Sequence, residues 1–137
     1  MEDCIFCKII NKEIKAATVY EDKHTYAFLD IRPASEKGGH TLVMPKKHYE
    51  LITDIPDEEI KHLSLTLKKI SSALLKFSQG LNILQNNKKI AGQYIKHIHF
   101  HLIPRFENDN ITIEKWKANE YKNGEIEKIQ NKIKLLF

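Results

Sequence analysis

The sequence predicts an α+β fold: an antiparallel sheet of about five strands, with a long helix and a short N-terminal helix packed on one of its faces and a helical tail at the C-terminus. Three observations predict it. His97, His99 and His101 alternate with Ile98, Phe100 and Leu102, and a period of two belongs to a strand with imidazoles on one side and apolar residues on the other. Ile60, Leu63, Leu67, Ile70 and Leu74 recur at helical spacing, so one face of a long helix is apolar. The order β-β-β-α-β-β, with helices at the ends, suggests an antiparallel sheet with its helices on one face.

In order along the chain, residues 5–11 form a short helix. Residues 18–21 and 26–30 are strands joined by the polar turn Asp22-Lys23-His24. A loop with Pro33 and Gly38-Gly39 leads to a β-rich strand over 40–44, stopped by Pro45. Pro56 with Asp57, Glu58 and Glu59 suits a first helical turn, because proline there lacks only a donor with no partner and carboxylates complement the helix dipole. Gly80 is the expected stop. Strands over 81–85 and 96–104 flank a polar loop over 86–92, and Ile126, Ile129, Ile133 and Leu136 mark a last amphipathic helix from about Gly124.

The 137 residues suit one domain, with a core over 1–105 and an extension over 106–137. A hydrophobic fraction of 42% and a charged fraction of 29% are those of an ordinary globular chain. The net charge of +4 comes from scattered lysines with no aromatic-interleaved basic patch, which argues against a nucleic-acid partner. No run of about 18 apolar residues exists, so no membrane partner is expected. The first residues lack a secretory pattern, so a cytoplasmic location is expected, where Cys4 and Cys7 are thiols or metal ligands and not a structural disulfide.

Three of the seven histidines fall within five residues. One imidazole of such a row can act as a nucleophile with its neighbours as acid, base or oxyanion partners. Alternatively the row can hold a metal, or simply cover a wet face. Asn86, Gly92 and Gln93 tilt the reading towards phosphate chemistry, because amides beside a glycine bind phosphate and ribose oxygens. An imidazole nucleophile splits a hard displacement at phosphorus into two easier ones, provided that the attacking nitrogen is unprotonated and the other nitrogen is held by an acceptor.

The run from His97 to Ile103 matches at every position the motif His-φ-His-φ-His-φ-φ, and the chain resembles the histidine triad (HIT) superfamily, in particular its bacterial-type nucleotide-binding branch. The opening Asp3-Cys4-Ile5-Phe6-Cys7, the segment Phe28-Leu29-Asp30-Ile31-Arg32-Pro33 and the block from Gly39 to His48 are similar to the family as well. The resemblance implies a HIT-like fold and a hydrolase or nucleotidyl transferase acting on a nucleoside phosphoramidate or dinucleoside polyphosphate. His99 would attack the α-phosphorus and form a nucleotidyl-histidine, and water would release a nucleoside monophosphate. His101 would be the acid–base partner and His40 a supporting fourth histidine. Phe28 and Ile31 would pack on a purine, as in AMP or GMP, Asp30 would hold the ribose, and Asn86, Gly92 and Gln93 would contact sugar and phosphate. Tyr94 stands where the phosphoramidase branch usually has serine. A rival reading is a nucleotide-binding scaffold with incidental turnover.

Cys4-x-x-Cys7 alone is half a zinc site. The resemblance implies that His48 and His97 complete it, a Cys₂His₂ set with no open position and therefore structural. It also implies a homodimer paired through the long helix and the strand at 81–85.

Overall fold

The computed structural model describes residues 3–113 and 115–137 and consists of a five-stranded antiparallel sheet with three α-helices. The strands are β1 (Thr18–Glu21), β2 (Thr25–Leu29), β3 (Thr41–Pro45), β4 (Gly80–Gln85) and β5 (Phe100–Arg105), in the spatial order β1-β2-β3-β5-β4. The helices are α1 (Ile5–Ile10), α2 (Asp57–Phe77) and α3 (Glu125–Lys134).

The β1–β2 turn is closed by Asp22, whose carboxylate accepts the backbone N–H groups of His24 at 2.8 Å and Thr25 at 2.7 Å. A buried hydroxyl pair, Thr25 and Thr66 at 2.9 Å, ties this hairpin to α2.

The sheet is covered on both faces, not on one. Ala27 and Val43 point to α2 and join Leu63, Ile70, Ile98 and Leu102 in one core. Their neighbours Tyr26, Phe28, Leu42 and Met44 point the other way and meet Phe6 and Ile9 of α1. Every residue of β3 and the first four of β2 are buried, and a strand apolar on both sides needs cover on both.

Helix α2 runs three residues beyond Leu74. It ends where Ser78 returns to Leu74 O with both its N–H (2.9 Å) and its hydroxyl (2.8 Å), so Gly80 opens β4 instead of stopping the helix.

The histidine segment is only partly a strand. The ladder begins at Phe100, because Ile98 N–H is taken by Tyr49 O at 2.7 Å and the residues before Phe100 bend away. The alternation survives this. Ile98 and Leu102 are wholly buried towards α2, whereas the three imidazoles lie on the α1 side, where Phe6 packs edge-on to His99 and His97.

Beyond β5, Arg105 donates to Asn82 Oδ1 at 2.6 Å, Asp109 Oδ2 at 2.8 Å and Ile111 O at 2.7 Å, which pins the chain to the sheet as far as Ile111. Helix α3 forms as expected but buries none of its residues. Among the described residues no helix is long and apolar enough to cross a membrane.

Candidate active site

A cleft of about 700 Å³ opens on the α1 side of the sheet, with His99 and His101 in its wall. Most of the remaining wall is apolar: Phe6 and Ile9 from α1, Phe28 from β2 and Leu42 from β3. Asp30 and Ile31 stand at the end of β2, Ile31 almost fully exposed, and Asn86 and Gly92 come from the loop after β4. Gly92 has φ +92°, which favours glycine, and a Cβ there would press on Asn86 Nδ2 at 3.3 Å and displace that amide slightly.

Hydrogen bonds set the tautomer of each catalytic candidate. His99 Nδ1–H donates to the carbonyl of His97 at 2.7 Å, which leaves Nε2 of His99 as a lone-pair nitrogen. The chain to His101 begins at the backbone N–H of Ala34, which donates to His40 Nδ1 at 3.1 Å. The proton of His40 is therefore on Nε2, and it donates to His101 Nδ1 at 2.9 Å. His101 in turn carries its proton on Nε2. The two rings, with centroids 4.9 Å apart, thus present one base and one donor.

All three rings are held neutral. Burial lowers His99 and His40 from their ordinary value, opposed at His99 by its hydrogen bond to the His97 carbonyl and then by the Asp30 carboxylate, and at His40 by Asp30. Burial, together with the nearby rings of His99 and His40, lowers His101 to about 4.

Gln93 differs from its neighbours. It is buried, and both ends of its amide are spent: Nε2 donates to Glu50 O at 2.6 Å and Oε1 accepts Lys88 N–H at 2.7 Å. The expected contact of Gln93 with sugar or phosphate would require this amide to be freed, since here the side chain braces the loop while Asn86 and Gly92 line the cleft. In the other direction, sequence reasoning missed Phe6, Ile9 and Ile113 as cleft residues. The only signal for α1 was its apolar pattern, which reads as core packing. Tyr94 is mostly exposed at the rim.

Behind the cleft, the ligand atoms of Cys4, Cys7, His48 and His97 all lie within 4.8 Å of one another. Cys4 Sγ and Cys7 Sγ are each 3.6 Å from His97 Nδ1, and Cys7 Sγ is 3.4 Å from His48 Nδ1. The S···N edge of a tetrahedral zinc with ordinary bond lengths is about 3.6 Å. His97 Nε2–H donates to Pro45 O at 2.9 Å, so Nδ1 is free for a metal, as an outer-shell partner should arrange. The donor set fits zinc. Burial and the neighbouring Cys4 push the Cys7 thiol up to about 11, so a bound cation would have to displace its proton.

Asp30, His40 and His101 also lie close enough for a metal. The Ala34 N–H argues against one there. A ring ligating through Nε2 would carry its proton on Nδ1, against another donor.

An antiparallel sheet carrying this histidine pair at a cleft defines a protein of histidine triad type. The HIT domain model matches residues 11–108, and the chain belongs to that family. It is 44% identical over 117 residues to the adenosine 5'-monophosphoramidase of Saccharomyces cerevisiae, covering 85% of this chain and 72% of that one. Among solved structures it is similar to a HIT family member from Bacillus subtilis, with a TM-score of 0.90, 39% identity and coverage of 98% and 97% of the two chains. A zinc-bound histidine triad family protein from Mycobacterium smegmatis matches with a TM-score of 0.74 and 33% identity over 85% of each chain.

Proposed function

We propose that this protein is a nucleotide hydrolase or nucleotidyl transferase that attacks the α-phosphate of a nucleoside phosphoramidate or dinucleoside polyphosphate. The observation that carries this is the complementary pair in one cleft: His99 with an unprotonated Nε2 and His101 with an Nε2–H. Nε2 of His99 forms the bond to phosphorus as the bond to the leaving group breaks. The N–H of His101 stabilises charge developing on the phosphoryl oxygen or the leaving atom. Water then cleaves the nucleotidyl-histidine and releases the nucleoside monophosphate. The name of the yeast relative supports the phosphoramidate.

In this reading Phe28 and Ile31 face a purine such as that of AMP or GMP, the Asp30 carboxylate takes the ribose hydroxyls, and Asn86 and Gly92 lie near sugar and phosphate. Cys4, Cys7, His48 and His97 hold one structural zinc, a reading supported by the donor geometry and the zinc-bound relative. Such a metal would tether α1 to the histidine segment. Zinc thiolates suit a reducing cytoplasm. A homodimer belongs to the same reading: β4 is an edge strand with Ile83 exposed, and α2 leaves Leu65, Leu75 and Phe77 exposed.

The test compares wild type with His99→Ala on adenosine 5'-phosphoramidate and on a dinucleoside polyphosphate. Turnover should fall by about 10³-fold or more while AMP still binds. Undiminished turnover in the variant would reject the mechanism.

A further inference from the structure

His97 sits at the junction of two sites. Its ring is wholly buried, with Nε2–H on Pro45 O and Nδ1 facing the sulfurs of Cys4 and Cys7. Its carbonyl holds the Nδ1–H of His99 at 2.7 Å, the bond that leaves the Nε2 of His99 unprotonated. The ring that faces the sulfurs and the carbonyl that aligns His99 thus belong to one residue.

A second connection runs through α1. Cys4 stands at the N-cap position of that helix and Cys7 lies within it, and between them Phe6 packs edge-on to His99, with ring centroids 5.0 Å apart, and on Phe28 at 5.6 Å. A helix of six residues is too short to hold itself together, so the placement of this cleft wall depends on its tethers. The ligand cluster is not sealed. Cys4 and His48 line a polar depression of about 380 Å³ that shares Tyr94 and Ile95 with the cleft, which gives an ion a route to solvent without unfolding of the sheet.

We propose that the Cys4, Cys7, His48 and His97 metal site and the nucleotide cleft are energetically coupled, with His97 as the positioning residue between them. This rests on the zinc and nucleotide readings above. An ion on Nδ1 of His97 orders both the carbonyl beneath His99 and the Phe6 wall, so a nucleotide meets a cleft already arranged for it. Linkage makes the effect reciprocal: a bound nucleotide must hold the metal more tightly by the same factor.

The test uses whole protein reconstituted with cobalt(II), whose visible spectrum reports its ligand field, and follows transfer of the ion to a chromogenic chelator with and without saturating AMP. AMP should shift the cobalt spectrum and make the ion about 10-fold harder to draw off to the chelator at equilibrium, within the usual range of such couplings. In His99→Ala, which retains the cobalt ligands and the Phe6–Phe28 contact, AMP should still bind but strengthen cobalt retention less than in wild type. Wild-type protein that binds cobalt and AMP independently would overturn the coupling alone. Failure to bind cobalt would overturn it together with the zinc reading, and failure to bind AMP together with the nucleotide reading. An effect of AMP that persists undiminished in His99→Ala would overturn the route through His97.

Discussion

His40 and His101 share one hydrogen bond, 2.9 Å from Nε2 to Nδ1, and the backbone N–H of Ala34 on the far side of His40 decides which of the two rings donates. A buried imidazole pair with no such anchor could flip its tautomers together and turn the cleft-facing nitrogen of His101 from donor to acceptor. His40 is thus a positioning residue.

It follows that His40→Gln should be tolerated and His40→Ala should not. A glutamine oxygen can accept from Ala34 and its amide can donate to His101, as the imidazole does. In steady-state assays on adenosine 5'-phosphoramidate, the alanine variant should lose about 10²-fold in kcat with little change in KM, in line with the usual worth of an oriented acid–base group. Glutamine should recover most of that loss. Equal loss in both variants would show that His40 acts in some other way.

Acid should destabilise the protein through His101. Its folded value of about 4 lies below the ordinary 6.5, mainly because of burial, so the unfolded chain binds protons first as pH falls. The contribution of His101 is fully present above about pH 6.5 and is lost between there and about pH 4. Thermal unfolding of wild type should show Tm falling across that window. His101→Asn should show a smaller fall, because the group that titrates differently in the two states is gone. An acid limb of unchanged depth in the variant would contradict the assignment.

Gln93→Ala should be a stability variant first. It removes the two hydrogen bonds to Glu50 O and Lys88 N–H, each worth about 0.5–1.5 kcal/mol net. Denaturant midpoints should drop accordingly, and AMP affinity should fall only as far as the loop carrying Asn86 and Gly92 loosens. A variant of wild-type stability with AMP binding abolished would instead restore Gln93 as a direct ligand contact.

Asp30→Asn addresses the ribose. Asp30 Oδ1 already accepts Arg32 N–H at 2.8 Å, which aims the carboxylate at the cleft mouth. Loss of the charge should raise KM for a ribonucleotide substrate about 10-fold, the worth of a hydrogen bond to a charged group. A 2'-deoxy substrate should suffer no further penalty in the variant, and an additive penalty would place the ribose elsewhere.

Metal analysis of purified protein should find about one zinc per chain, and removal by a strong chelator should lower Tm, since binding to the folded state alone is folding free energy. Fully folded, fully active protein without metal would end the structural-zinc reading.

What the amino-acid order determines by itself is periodicity and residue chemistry. The two-residue repeat of His97, His99 and His101 against Ile98, Phe100 and Leu102 assigned the imidazoles to one side, and the spacing of Leu63 and Ile70 assigned the buried stripe of α2. Both follow from local geometry that any chain obeys. Resemblance to a family, not periodicity, brought Cys4 and Cys7 together with His48 and His97. Only the tertiary structure decided which face α1 covers, that Phe6 walls the cleft and that Gln93 turns its amide away from it. It alone supplied the partners that assign the ring proton of His40, His97, His99 and His101. Those outcomes depend on backbone partners, the carbonyl of His97 and the N–H of Ala34, and a peptide group is the same at nearly every residue, so its role comes from where the folded chain carries it.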